Sequence, residues 1–267
     1  MEKSKIFCLC LDGDYLNKVK ELGYIPVGLG KNKFSKDWTT DDNGKNISKK
    51  NPYYGEYSFH YWLWNNELKN IPDNTWIGFC TYRRFWKNIN FKSDKFKDQV
   101  ITEVPEAWDK YDVILADKID LTYIKWIKVL KYGKKAFLKN PNSIFKKNRN
   151  IKFQFDLNHG VGNLDKAIKL LNKEDRDDFQ KFVLKNTSFN QCNLFFCKSK
   201  KILENYYETI FEWLEKCEKE FGFNNDGYGK TRIYGFLAER FMPYWFRKNS
   251  NFLEWPILFK DLNNKNL

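Results

Sequence analysis

The run Trp76–Thr81 is the feature that most limits how this chain can fold. Its residues are mostly apolar and β-prone, and Asp73-Asn74 marks a turn before it, so we predict a buried strand. Two adjacent arginines, Arg83 and Arg84, follow at its carboxyl end. In an open α/β sheet, ligands bind at the carboxyl ends of the strands. The run therefore predicts a binding site at one edge of a sheet.

Arginine is scarce in this chain, since only seven of the 47 basic residues are arginine. Four of the seven fall in two close pairs, Arg83-Arg84 and Arg232/Arg240. A planar guanidinium grips a phosphate or a carboxylate with two hydrogen bonds, which an ammonium cannot do. The first pair predicts an anion, above all a phosphate, at the end of the strand. The alternative is that one arginine pairs with a carboxylate at the core edge and the other faces solvent.

The composition predicts a folded protein with a substantial core. With 267 residues, 42% hydrophobic and 18% aromatic, the chain suits one large domain or two small ones. It has no apolar run of about 20 residues, the length that spans a bilayer. Its first residues lack the long apolar stretch of a signal peptide, which predicts a cytoplasmic protein.

The cysteines do not form a pattern typical of metal binding. All six are scattered among mostly apolar neighbours, and none forms a CxxC pair. Because the chain has only two histidines, a zinc site is not expected. Buried reduced thiols are predicted instead.

The formal net charge of +13 is carried mainly by lysines spread over the whole chain. Such a charge suits nucleic acid, or contact with an anionic membrane at its inner face. The even spread disfavours a single aromatic-lined basic groove, which a protein that binds single-stranded nucleic acid needs. The same field would also steer a small phosphorylated substrate towards the protein.

Strand-like and helix-like patterns alternate along the sequence, which predicts one α/β domain over residues 1–267. The predicted strands cover residues 6–11, 24–29, 76–81, 111–116 and 192–197. The predicted helices cover residues 54–68, 163–171, 173–184, 202–217 and 231–244, where apolar residues step by three and four. Residues 118–152 mix helical and loop character.

Five segments form a distinctive series. They are DDNGKNIS from Asp41, KNPYYGE from Lys50, YWLWNN from Tyr61, GFCTYRRF from Gly78 and RIYGFLAER from Arg232. The series resembles the motifs DDxGxNIS, KNPxYxE, YWxWxN, HYRR and RVxGFLxER of one bacterial family, in the same order. That family, long catalogued as a domain of unknown function, occurs among capsular and lipopolysaccharide biosynthesis proteins. It includes galactofuranosyltransferase-like enzymes.

Two departures limit what this resemblance carries over. Thr81 stands where the family usually has histidine, so no role for that histidine can be transferred. Residues 116–152 match the family poorly, so the resemblance does not identify the acceptor.

The resemblance implies a fold and an activity. The fold is α/β, a single domain with a mixed, mostly parallel sheet flanked by helices, as in the nucleotide-sugar (GT-A-like) glycosyltransferases. The activity is that of a hexosyltransferase, which moves a hexose such as galactofuranose from a UDP-linked or related nucleotide sugar. The acceptor would be a glycan or lipid-linked glycan in surface polysaccharide biosynthesis.

The resemblance also assigns roles to residues. The candidates for donor binding are Asp41, Asp42, Asn46, Ser48, Lys50, Asn51, Glu56, Tyr82, Arg83, Arg84 and Arg232. Glu239 or Asp156 would be the base that takes the proton of the acceptor hydroxyl. The alternative for Glu239 is a structural pair with Arg232 or Arg240, since a carboxylate on a mostly apolar helix usually pairs with an arginine. Further candidates are His159, Asn193 and Arg240. For Asn46, Ser48 and Asn51, the alternative is that they only cap turns and a helix.

No tightly bound metal is expected. Asp12-Gly13-Asp14 has Asp-x-Asp spacing after the first strand, but Asp and Gly are common in turns, and we predict a turn. Arginines at the strand end could stabilise the diphosphate directly. A weakly held Mg²⁺ or Mn²⁺, carried by the donor diphosphate, is compatible with this prediction.

Two alternative functions remain open from the sequence. One is a basic, aromatic-rich protein that binds nucleic acid, and the other is a catalytically inactive relative that binds sugar.

Overall fold

The structure, a computed structural model, describes residues 3–90, 93–123, 134–139, 141–145, 148–224 and 227–263. Its strands are β1 (Ser4–Cys10), β2 (Ile25–Gly28), β3 (Thr39–Thr40), β4 (Trp76–Thr81), β5 (Arg84–Trp86), β6 (Val113–Ala116), β7 (Lys118–Asp120), β8 (Ser188–Asn190), β9 (Phe195–Cys197), β10 (Phe252–Trp255) and β11 (Ile257–Phe259). Its α-helices are α1 (Leu16–Glu21), α2 (Asn51–Tyr54), α3 (Tyr57–Trp62), α4 (Phe96–Gln99), α5 (Lys134–Lys139), α6 (Ile151–His159), α7 (Asn163–Lys169), α8 (Lys173–Lys185), α9 (Lys200–Phe221), α10 (Tyr228–Thr231) and α11 (Ile233–Asn249).

The main sheet has the strand order β10-β6-β9-β4-β1-β2-β3, and β5 pairs with both β4 and β11. β1 is parallel to β2 and β4, β2 is parallel to β3, and β6 is parallel to β10. Only β9, between β4 and β6, runs antiparallel along this described path. The predicted fold class, a mixed, mostly parallel sheet flanked by helices, is confirmed. The carboxyl ends of β1, β2 and β4 meet at one edge of the sheet.

The central strands are apolar on both faces because both faces are covered. On one face, Phe7 and Leu9 of β1 share a core with residues of α3, α9 and α11. On the other face, Cys8 and Cys10 lie in a second core, which includes residues of α1 and Trp108. All six cysteines are free and only Cys192 is not fully buried, so the prediction of buried thiols holds for the other five.

The helix predicted over residues 54–68 is broken into several pieces. α2 ends at Gly55, where φ is 59°, a left-handed value that glycine adopts without strain. α3 follows, then a π-helical turn over Leu63–Glu67 and a 3₁₀ turn over Leu68–Asn70. The apolar periodicity was correctly identified, but the break at the glycine was missed.

The carboxyl-terminal part of the chain differs from the prediction. The last helix was expected to end near Pro243, but α11 continues to Asn249, because Tyr244, Trp245 and Phe246 remain buried. β10 and β11 were not predicted, although β11 pairs with the strand that begins at Arg84. Part of the stretch 118–152 lies outside the described residues. Among those described, no helix is long and apolar enough to cross a membrane.

One buried residue gives a testable dependence of stability on pH. His60 is fully buried, with Nδ1 2.9 Å from the hydroxyl of Tyr207, and burial lowers its pKa to about 3. A histidine in an unfolded chain has a pKa of about 6.5, so below that pH the unfolded state binds a proton that the folded state does not. The free energy of unfolding is therefore unaffected by protonation of His60 above about pH 6.5. Below that pH it decreases by about 1.4 kcal/mol per pH unit, until the pH reaches the pKa of His60 in the folded state.

The expected result is a loss of about 2 kcal/mol in the free energy of unfolding between pH 7 and pH 5 from this residue alone. Urea denaturation of the wild type and of His60→Gln at both pH values measures it. Between pH 7 and pH 5, the free energy of unfolding of His60→Gln should fall less than that of the wild type, by about 2 kcal/mol. Equal losses in the two proteins would show that His60 is not buried in its neutral form.

Candidate active site

A cavity of about 240 Å³ lies at the edge of the sheet where β1, β2 and β4 end. Leu9 and Leu11 of the β1 end and Leu29 after β2 form its apolar part. Four further groups of residues complete it: Asn51, Gly55 and Glu56 near α2, Thr81–Arg84 at the end of β4 and after it, Cys192-Asn193 before β9, and Tyr228, Arg232, Gly235, Phe236 and Glu239 in and between α10 and α11. The predicted position of a site at this edge agrees with this cavity.

Arg83 and Arg84 both line the cavity. Thr81 pairs with Arg84 across a two-residue turn, so Arg84 begins β5 instead of ending β4. The guanidinium of Arg83 lies 4.7 Å from the ring centre of Tyr82, and that of Arg84 lies 5.8 Å from Phe259. Within the described part of the chain, neither arginine makes an ion pair. The alternative in which one of them pairs with a carboxylate is therefore not observed.

A third cation in the cavity, Arg232, is already balanced by a carboxylate. Arg232 Nη2 lies 3.5 Å from Glu56 Oε2, at the start of α3. The guanidinium also packs against Gly55, where an added Cβ would lie only 2.4 Å from Nη2. The break in the helix at Gly55 therefore makes room for Arg232. Since Glu56 neutralises Arg232, the net positive charge of the cavity comes from Arg83 and Arg84.

Glu239 ties α11 to the turn before β9. One carboxylate oxygen, Oε1, accepts the backbone N–H of Cys192 at 2.7 Å, and the other accepts a hydrogen bond from Arg240. Cys192 and Asn193 both have positive φ, 72° and 53°, so this turn is left-handed at two consecutive residues. Such a conformation is uncommon outside glycine and needs support from its surroundings. The bond from Cys192 to Glu239 gives that support.

The electrostatics around Glu239 follow from burial. Burial lowers the pKa of the Arg240 guanidinium, and the neighbouring Glu239 carboxylate opposes that change. Burial, and next the charge of Glu239, raise the pKa of the Cys192 thiol to about 12, while Arg84 acts in the opposite direction. Cys192 is therefore a neutral thiol at pH 7.

Two buried polar atoms of the cavity lining have no hydrogen-bond partner among the described residues. They are Thr81 Oγ1 and Asn193 Oδ1, in side chains that are more than nine-tenths buried. Buried polar groups are nearly always hydrogen-bonded in folded proteins. A ligand with hydroxyl groups in this cavity would satisfy both atoms.

The loop 41–50 does not line the cavity, although five of its residues were expected to bind the donor together with Arg83 and Arg84. Asn46 donates to the Gly44 carbonyl at 3.0 Å, and Ser48 donates to Asn46 at 3.0 Å. Asp42 accepts from the hydroxyl of Thr40. These side chains satisfy groups of their own loop, as the capping alternative describes.

Three other candidates near this loop have different surroundings. Lys50 forms an ion pair with Glu218 of α9 at 2.6 Å. Asp41 is buried, its Oδ2 has no partner among the described residues, and burial raises its pKa. Asn51 does line the cavity, while its amide donates to the Gly55 carbonyl at 3.0 Å. The donor-binding roles of residues 41–50 stay predictions.

Asp156 does not line the cavity. Its carboxylate pairs with Lys152 at 2.8 Å and accepts the backbone N–H of Gly162 at 2.9 Å, so it fixes the end of α6. This placement favours a structural role over that of a base. His159 lines a neighbouring cavity, and its Nδ1 lies 2.9 Å from the Gly229 carbonyl.

Asp12 and Asp14 form a turn, as the residue types indicate. Asp12 Oδ1 accepts the backbone N–H of Asp14 at 3.0 Å and starts a short 3₁₀ helix, Gly13–Tyr15. Within the described ranges, no three His, Cys, Asp or Glu side chains come together as a metal site would require.

A model of the family named Domain of unknown function (DUF4422) matches residues 14–250. The chain belongs to this family. No curated protein is significantly similar to this DUF4422 chain. A solved structure, the apo form of the WbbM bifunctional glycosyltransferase, has a similar fold, with a TM-score of 0.66 and 21% identity over 96% of the DUF4422 chain. This chain spans 45% of the WbbM chain.

Sequence reasoning missed several residues of the DUF4422 cavity. Gly55 had a usable signal, because a glycine within an apolar helical stripe is a common sign of a break. Tyr228 and Cys192 had none. Their place in the cavity depends on where α10 and the left-handed turn before β9 meet the sheet.

Proposed function

We propose that this chain is a glycosyltransferase that moves a hexose from a nucleotide sugar to a glycan acceptor. The observation that carries the proposal is the pair Arg83 and Arg84, which lines the cavity and has no carboxylate partner within the described ranges. The fold, which resembles that of a glycosyltransferase, supports the same reaction. The UDP carrier, a hexose such as galactofuranose and a role in surface polysaccharide synthesis come from the family resemblance. The cytoplasmic location and the contact with an anionic membrane stay predictions.

The two arginines would bind the diphosphate of the donor. Negative charge grows on the leaving diphosphate as the glycosidic bond breaks. Cations that are already fixed in place stabilise this charge without reorganisation. Each guanidinium lies over an aromatic ring, Arg83 over Tyr82 and Arg84 over Phe259. Thr81 and Asn193, whose side-chain oxygens have no partner in the part of the chain that the structure describes, would orient the sugar hydroxyls.

Glu239 is the base that the geometry favours. It lines the cavity, whereas Asp156 does not. Each carboxylate oxygen has two lone-pair directions, so the bonds from Cys192 and Arg240 leave capacity to accept the proton of a hydroxyl. Glu239 would therefore hold the turn at Cys192 and also act as the base.

Binding of nucleotide sugars tests the proposal. A panel of nucleotide sugars, with UDP alone and a single-stranded oligonucleotide for comparison, is added in a thermal-shift assay. UDP and at least one nucleotide sugar should raise the melting temperature, since a ligand that binds only the folded state stabilises it. A shift with the oligonucleotide alone would favour the nucleic-acid alternative. Binding of donor without any donor hydrolysis would favour the inactive relative.

We expect turnover to continue when a chelator is present in excess. The reason is that both carboxylates in the described lining of the cavity, Glu56 and Glu239, already pair with arginines. Asp12 uses its carboxylate to cap a turn. The measurement compares the initial rate with and without chelator, at equal ionic strength. A partial decrease would indicate a cation carried by the donor diphosphate. Complete loss that added Mg²⁺ or Mn²⁺ reverses would contradict the expectation.

A further inference from the structure

A second cavity, of about 380 Å³, adjoins the first. The two cavities share three lining residues, Tyr228, Phe236 and Glu239. The second cavity extends away from the arginine pair, between α6, α11 and the two-stranded sheet of β7 and β8. We propose that it binds the terminal sugar of the acceptor glycan as a neutral, polyhydroxylated ring. This assignment rests on the proposed function.

An unpartnered buried donor in the lining indicates a ligand. Arg240 is only 2% exposed, and its Nη2 donates to Gln154 Oε1 at 2.8 Å. Its Nη1 donates to the Phe236 carbonyl at 3.1 Å and also to Glu239. Arg240 Nε is buried and has no hydrogen-bond partner in the described part of the chain. Because Arg240 lines the second cavity, a ligand oxygen there would satisfy this N–H.

The other polar residues supply both donors and acceptors. The amide nitrogen of Asn158 donates to the Gln154 backbone carbonyl at 2.9 Å, which leaves Asn158 Oδ1 as an acceptor. Gln154 uses its oxygen for Arg240, which leaves its amide N–H groups as donors. A sugar hydroxyl both donates and accepts, so neighbouring hydroxyls match such a mixed set.

The charge balance separates the two cavities. In the second cavity, Arg240 and Glu239 are the only Arg, Lys, Asp or Glu side chains among the described lining residues, and they pair with each other. A neutral ligand is therefore favoured there, whereas in the first cavity Arg83 and Arg84 have no ion-pair partner among the described residues. Phe189 and Phe236 add apolar surface, and the ring of Tyr228, 68% exposed, stands at the border of both cavities. The volume of the second cavity lies within the range of about 300–1,000 Å³ that is usual for small-ligand sites.

Glu239 lines both cavities, so it lies where a donor and an acceptor would meet. A hydroxyl of a sugar in the second cavity and a donor in the first would both have access to this carboxylate. The hydroxyl oxygen of the acceptor would form a new bond to the anomeric carbon of the donor, while Glu239 takes the hydroxyl proton. The bond from that carbon to the diphosphate oxygen would break. The diphosphate leaves with the electron pair of the broken bond.

Two variants change the second cavity alone. Asn158→Ala removes the acceptor oxygen, and Ile119→Trp fills space from β7, while neither residue lines the first cavity. Asn249→Ala is the matched control. Its amide makes the same bond to a carbonyl four residues earlier, Trp245 at 2.8 Å, but it lines neither cavity. Melting temperatures of the three variants show whether each is folded.

The probes are methyl glycosides of common hexoses and UDP. Glycoside binding is followed by saturation-transfer NMR, and UDP binding by calorimetry. At least one glycoside should bind the wild type and Asn249→Ala. Its affinity should fall at least fivefold in Asn158→Ala and Ile119→Trp, with the UDP affinity unchanged. No binding by any glycoside, or equal binding by all variants, would overturn the assignment. Glycoside binding that depends on Asn158 without any UDP binding would support the sugar site and contradict the proposed donor.

Discussion

Replacement of Arg83 or Arg84 by alanine is expected to weaken UDP binding by roughly 10-fold to 150-fold. This range corresponds to the loss of charge-assisted hydrogen bonds worth about 1.5–3 kcal/mol. Neither arginine has an ion-pair partner in the described residues. Its replacement therefore leaves no carboxylate among them without a counterion. The melting temperature should therefore change little. Calorimetric titration with UDP measures the affinity.

Two further variants separate the causes of this effect. Arg84→Lys keeps the charge but loses the planar fork, and should recover only part of the affinity. Lys216→Ala removes one charge from an exposed pair with Glu212 on α9, and should bind UDP like the wild type. Equal weakening by Lys216→Ala would mean that the arginines act only through the net charge. If UDP binds both alanine variants with unchanged affinity, the diphosphate does not bind in this cavity.

Glu239→Gln is expected to reduce both turnover and stability. A glutamine carries an NH2 donor in place of one of the two carboxylate oxygens, so that position can no longer accept from Cys192 or Arg240, which bond to different oxygens. Arg240 would keep its buried charge without a counterion, which typically costs about 3–5 kcal/mol. The loss of the base should slow turnover by about 10²–10⁴.

These two effects can be measured separately. Thermal unfolding gives the stability, and initial rates are taken at a temperature at which circular dichroism shows the variant folded. Glu212→Gln, on the exposed face of α9, is the control and should behave like the wild type. A folded Glu239→Gln with normal turnover would exclude Glu239 as the base. An unchanged melting temperature would exclude its role in holding the turn at Cys192.

The sequence predicted the part of the fold that depends on local patterns. The alternating strands and helices, the buried strand before Arg83 and the amphipathic helix α9 follow from apolar periodicity. The missed strands β10 and β11 are short, and only their pairing with β6 and β5 identifies them. Such pairing depends on residues far apart in the chain.

The site was predicted unevenly for the same reason. Arg83, Arg84, Arg232 and Glu239 were found because charged residues near a strand end or among apolar helix residues stand out in a sequence. The loop 41–50 was grouped with them because its motif is distinctive. Its residues Asn46 and Ser48 bond within the loop, and Lys50 pairs with Glu218. Distinctive spacing shows that a segment matters, but it does not show which cavity the segment faces.

A crystal structure of this chain with UDP bound tests the central claim most directly. The account predicts the diphosphate in the cavity at the ends of β1 and β4, with its oxygens within hydrogen-bonding distance of Arg83 or Arg84. A diphosphate bound elsewhere, for example at the loop 41–50 and away from both guanidinium groups, would contradict it.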